Sequence, residues 1–94
     1  MDRDAYVEKM KAQIEEWNAE IDKFQAKAKA ANADAKMKYE EQIQEMRAQR
    51  DKAEEKLRET RDASEKAWDD MQKSMTAAWD SISDGFRNAM KRFQ

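Results

Sequence analysis

The sequence predicts an all-α chain: one long, continuous amphipathic helix that assembles with copies of itself as a coiled-coil oligomer. Three observations carry this. Positions spaced eleven apart, Phe24, Ala35, Met46, Leu57, Trp68, Trp79 and Met90, are all apolar. Eleven residues make three turns at 3.67 residues per turn, so the ladder stacks on one face of one helix. Proline is absent and Gly85 is the only glycine, so the chain lacks the residues that punctuate loops. Charged residues make up 43% of the 94 and apolar residues 39%, a balance that fits a long helix or coiled coil better than a compact monomer. A helical hairpin is the alternative, turning back near Asn32 or at Arg61-Asp62-Ala63-Ser64, where Asp62 and Glu65 have capping-box spacing. Alanine and lysine favour helix at both places, and the ladder passes through them. The continuous helix is therefore preferred. Residues 1–94 then form a single elongated domain, roughly 120–135 Å long at 1.5 Å per residue.

The first zone keeps a strict heptad. Val7, Ile14, Ile21, Ala28 and Ala35 hold one seam position, and Met10, Trp17, Phe24 and Ala31 the other. A seven-residue repeat of this kind implies left-handed supercoiling. The seam narrows to alanine at Ala28, Ala31 and Ala35, which leaves room for a partner backbone or a large side chain. From Ala35 the steps become four, four, three through Tyr39, Ile43 and Met46, a stutter that locally unwinds the supercoil.

The second zone, 36–66, is the most polar. Tyr39, Ile43, Met46, Ala53 and Leu57 mark its face, with Arg50, Thr60 and Ser64 interrupting. Asp34 and Lys38, Glu54 and Arg58, and Asp62 and Lys66 have the favourable acid-first order one turn apart, worth about 0.3 kcal/mol each on an exposed helix. The third zone, 67–94, is the richest. Trp68, Met71, Met75, Trp79, Ile82, Phe86, Met90 and Phe93 alternate steps of three and four and share one side, with Asp69, Lys73, Asp80, Arg87 and Lys91 opposite. Burying such side chains is worth about 1.5–3 kcal/mol each, so this zone should dominate assembly. The register continues through Gly85 without a slip, so the helix is expected to tolerate that glycine at a cost near 1 kcal/mol.

The self-association interface read from this pattern is Val7, Met10, Ile14, Trp17, Ile21, Phe24, Met46, Leu57, Trp68, Met71, Met75, Trp79, Ile82, Phe86, Met90 and Phe93. Two overlapped chains match best head to tail, with Val7, Ile14 and Trp17 against Phe86, Ile82 and Trp79, and Ala28, Ala31 and Ala35 against Ala67, Ser64 and Thr60. A closed oligomer and a filament both remain open.

Catalysis is disfavoured. There is no histidine and no cysteine, which removes the commonest general base and the strongest nucleophile. Adjacent carboxylates such as Glu15-Glu16 and Asp69-Asp70 point apart on a helix and belong to its wet face. Met71 and Met75 could offer thioethers to Cu(I), but they lie in phase with Trp68 and Ile82, as core filler does. No cofactor, metal or small-molecule substrate is expected. The net charge of −2 and the lack of a basic stripe argue against nucleic acid. Membrane binding is the second functional reading, because the third zone sets Trp, Phe, Met and Ile against charge and ends in Lys91-Arg92-Phe93. Interfacial helices favour Lys and Arg, whereas Asp69, Asp70, Asp80 and Asp84 offset them here. The charged start, Met1-Asp2-Arg3-Asp4, does not resemble a signal peptide, and no run approaches the ~20 apolar residues that span a bilayer, so a cytoplasmic setting is expected.

The segments Asp4-Ala5-Tyr6-Val7-Glu8-Lys9-Met10-Lys11, Trp17-Asn18-Ala19-Glu20-Ile21-Asp22-Lys23 and Ala26-Lys27-Ala28 carry a resemblance, together with Ala67-Trp68-Asp69-Asp70-Met71, Ala78-Trp79-Asp80 and Arg92-Phe93. They resemble a family of small bacterial coiled-coil proteins of similar length, often labelled stress-response or hypothetical proteins. The likeness covers nearly the whole chain, and the paired Ala-Trp-Asp segments are its most distinctive part. It implies a bacterial, cytoplasmic, non-enzymatic protein and brings no catalytic residue or cofactor.

Overall fold

The computed structural model describes residues 2–92, and it is all-helical across three helices. They are α1 (Arg3–Ala30), α2 (Ala33–Asp62) and α3 (Glu65–Lys91). The expected continuous helix is thus broken twice, once at each place where a hairpin was the alternative. The outcome is an up-down-up bundle of 52 × 17 × 16 Å rather than a rod.

The physical reason is local and global together. Asp2, Asn32 and Ser64 each cap a helix: Ala5 N–H donates to Asp2 Oδ1 at 2.7 Å, Ala35 N–H to Asn32 Oδ1 at 3.0 Å, and Ala67 N–H to Ser64 Oγ at 3.0 Å. Such a cap returns about 1 kcal/mol of the cost of ending a helix. Both connections are built alike, with an extended alanine (Ala31 or Ala63) followed by the extended capping residue, and neither uses a positive φ. A lone long helix would leave its stripe in water, while two turns let the chain cover that stripe itself. The cap of the second turn falls two residues later than the Asp62–Glu65 spacing suggested. Asp62 ends α2, Ser64 is the cap and Glu65 opens α3. Asp62 and Lys66 therefore sit on different helices and do not form the expected pair within one helix.

α2 runs antiparallel to both neighbours. Phe24 meets Tyr39 at a ring separation of 6.3 Å, and the Arg50 guanidinium donates to Asn18 Oδ1 at 3.0 Å. On the other side, Gln42 Nε2 donates to the Met90 carbonyl at 2.5 Å. α1 and α3 are parallel. Tyr6 packs on Trp68 at 5.1 Å, and Trp17 stacks on both Trp79 at 5.5 Å and Phe86 at 4.8 Å. The backbones of α1 and α3 scarcely meet, whereas α2 lies close along both. The aromatic rings fill the distance between α1 and α3. α3 continues through Gly85 in helical conformation, as its register indicated.

Candidate self-association surface

The stripe expected to face other chains faces the inside of this one. Val7, Met10, Ile14, Trp17, Ile21, Phe24, Met46, Trp68, Met75, Trp79, Ile82 and Phe86 are buried. Leu57, Met71 and Met90 are partly buried against the same core, and Phe93 lies outside the described residues. The Trp17–Trp79 pairing foreseen for two antiparallel chains occurs within one chain, between parallel helices. Within one chain, Ala28, Ala31 and Ala35 are far from Ala67, Ser64 and Thr60. The first set flanks the α1–α2 turn and the second the α2–α3 turn, at opposite ends of the bundle.

Several core residues escaped the list drawn from the stripe. Tyr6, Ala28, Ile43, Ala53 and Ala89 are buried, as are Gln42 and Thr60. Ile43, Ala28 and Ala53 were on the apolar face already. Tyr6 and Ala89 sit beside it, where a helix packed between two neighbours needs a wider buried arc. Thr60 was expected to interrupt the face, yet it is fully buried because its hydroxyl donates to the Lys56 carbonyl at 2.9 Å. Gln42 is buried because its amide reaches across to α3. No buried side-chain nitrogen or oxygen among the described residues lacks a partner. A core whose polar groups are all satisfied favours one packing over others.

Burial pushes the Tyr6 phenol above its ordinary value, a hydrogen bond with Thr76 pulls the other way, and Asp80 adds a smaller upward push. Tyr6 sits under Lys9, whose ammonium lies 5.9 Å from the ring, just as Lys27 lies 5.0 Å from Phe24. Ion pairs on the surface are mostly local, such as Lys56 with Glu59 at 3.2 Å, and contribute little each. Arg92 pairs with Glu45 and ties the end of α3 to α2.

What remains outside is polar. Met37 is the only large apolar side chain that is strongly exposed among the described residues. It lies between Lys36 and Lys38 at the α1–α2 corner, with Lys27 and Lys29 on the preceding helix end. A 510 Å³ groove between α1 and α3 has Trp17 and Trp79 beneath it and Lys9, Gln13, Asp80 and Arg87 around it, but both tryptophans are buried, so it offers little apolar surface. Among the described residues no group of three or more acidic side chains converges to hold a metal ion. No helix among them is long and apolar enough to cross a membrane. No protein-family model matches the sequence, and no curated protein or solved structure matches it either.

Proposed function

We propose that this is a non-enzymatic structural or interaction protein, and that its working surface is the apolar stripe, which it shares with further copies of itself when the bundle opens. The observation that carries the reading is the contrast between inside and outside. The stripe runs through all three helices and is consumed by the core, while among the described residues Met37 is the only large apolar side chain that is strongly exposed. Self-association through the stripe then requires opening, with the buried contacts of one chain remade between two. The resemblance to small bacterial coiled-coil proteins adds a stress-related, cytoplasmic setting to the proposal.

Light scattering on the whole chain across a wide concentration range tests this. The expected result is a mass that climbs above that of one chain, with a melting temperature that rises alongside. A strictly monomeric protein at every concentration rejects it.

The second reading, peripheral membrane binding, is favoured by the α1–α2 corner rather than by α3, whose apolar side is covered. Met37, exposed between Lys36 and Lys38, gives a small apolar point with two adjacent cations, partly offset by Asp34, Glu40 and Glu41 one turn away, and each lysine near an anionic surface adds about 1 kcal/mol. Co-sedimentation with phosphatidylserine vesicles that disappears with Met37→Glu would favour this second reading.

A further inference from the structure

We infer that the α1–α2 connection, Ala31-Asn32, is a hinge that straightens into helix, so that two copies exchange α1 and form a closed two-fold dimer. This rests on the self-association reading and names its route and its partner surface. The occupant of the exposed core is α1 of a second copy.

Four observations converge on this connection. It contains only two residues, Ala31 and Asn32, and neither it nor its alanine- and lysine-rich flanks contain glycine or proline. Short connections of this kind invite exchange, because straightening relieves the turn while every core contact is remade. The stripe is also in helical phase straight through it: Ile21, Phe24, Ala28, Ala31, Ala35, Tyr39 and Ile43 follow steps of three and four. A straightened hinge therefore yields one continuous helix with one apolar face.

The third observation is register. Phe24 pairs with Tyr39 and Asn18 with Arg50, so the α1–α2 pairing is centred on the turn itself, at Asn32 and Ala33. Exchange converts that centre into a two-fold axis. Ala31, Ala33 and Ala35 then lie at or beside the crossing. Small side chains there let two long helices approach closely. Such a contact is isologous and closes as a dimer rather than a fibre.

The fourth is the contrast with the α2–α3 connection. There Gln42 pairs with Met90, and Gln49 packs on Gly85, which centres that pairing on Lys66 and Ala67, next to the bulky Trp68. The Arg3 guanidinium also donates to the Ala63 carbonyl and pins that turn to the start of the chain. The first hinge is thus built to open, and the second is held.

Proline separates the two. Ala33 is the first residue of α2, where proline is tolerated, and Asn32 at φ −70°, ψ 172° already has the extended geometry that precedes proline. Ala33→Pro therefore preserves the closed bundle but forbids the straight helix. Glu65→Pro places the same block at the first residue of α3. Asn32→Ala removes the cap that holds the turn.

The test is the dimerisation constant of the full chain, by light scattering and sedimentation after long incubation at high concentration. Each dimer straightens two hinges, so each effect enters twice. Asn32→Ala should raise the constant by about 25-fold. Ala33→Pro should lower it more than about a thousandfold, with helicity and monomer melting kept. Glu65→Pro should leave it unchanged. Mixing Asn18→Cys chains with Arg50→Cys chains and adding a short dithiol-reactive linker should join unlike chains in the dimer. Self-association that ignores Ala33→Pro, or that Glu65→Pro abolishes, overturns the hinge while the wider reading stands. A monomer in every case overturns both.

Discussion

α2 and α3 are nearly equal in length, 30 and 27 residues, and opposite in what they bury. α3 turns Trp68, Met75, Trp79, Ile82 and Phe86 inward, while α2 turns in Gln42, Ile43, Met46, Ala53 and Thr60. The difference follows from position. α2 lies against both neighbours, so its face must be thin where the backbones approach, and Ala53 is completely buried. α3 and α1 stand apart, so they must span the gap with rings, as Trp17 does against Trp79 and Phe86. The polar middle of the sequence is therefore not a weak zone of a rod. It is the central helix of a bundle, and its low apolar content reflects close packing on two sides.

The sharpest way to break that comparison is to delete a bridging ring. Trp79→Ala removes the ring stacked on Trp17 and should cost about 3–5 kcal/mol in chemical denaturation. Tyr39→Ala, on the half-buried start of α2, should cost about 1 kcal/mol. Equal losses would mean that α2 and α3 contribute alike, contrary to the packing.

The close approach of α2 and α3 can be probed at Gly85. A Cβ there would come within 2.8 Å of the Gln49 side chain, whose flexible end can move. In a Gln49→Ala background, Gly85→Ala should stabilise by about 1 kcal/mol, the helix-propensity gain. In the wild-type background part of that gain should be lost to displacing Gln49. If the gain is the same in both backgrounds, Gln49 does not occupy the space.

The smallest effect concerns the α1–α3 gap and pH. The Tyr6 phenol is pushed above its usual value, chiefly by burial beside Trp68. Its neutral form is therefore favoured in the folded state. That contribution is fully present below the unfolded value of about 10 and is lost as pH rises through the higher folded value. Alkaline titration of stability should show a downward slope above pH of about 10 that Tyr6→Phe reduces. An unchanged slope in Tyr6→Phe would assign it to other groups.

The inward residues were legible in the sequence because helical phase survives folding back. A position that faces the stripe of a continuous helix also faces the core of a bundle made from it, and Phe24, Met46, Trp68 and Trp79 are all buried. The two turns were legible only as alternatives. Asn32 and Ser64 are capable caps, but each lies among alanine, lysine and glutamate without glycine or proline, so local propensity favours continuing. What decides is tertiary: the chain can satisfy its own stripe, and no periodicity argument contains that term. Thr60 and Gln42 were hidden for a related reason, since their burial depends on a bond to the Lys56 carbonyl and one to the Met90 carbonyl across the bundle. Most of the stripe residues are buried, and their place inside one chain depends on those turns.

The central claim is that a single chain folds back twice and covers its own stripe. Small-angle X-ray scattering on the dilute protein tests it directly, because the two shapes differ so widely. The bundle predicts a radius of gyration close to the 15.4 Å of its Cα atoms and a longest dimension close to 52 Å, with small additions for side chains and hydration. A longest dimension of about 120–135 Å at the same dilution, the length of one continuous helix, would contradict it.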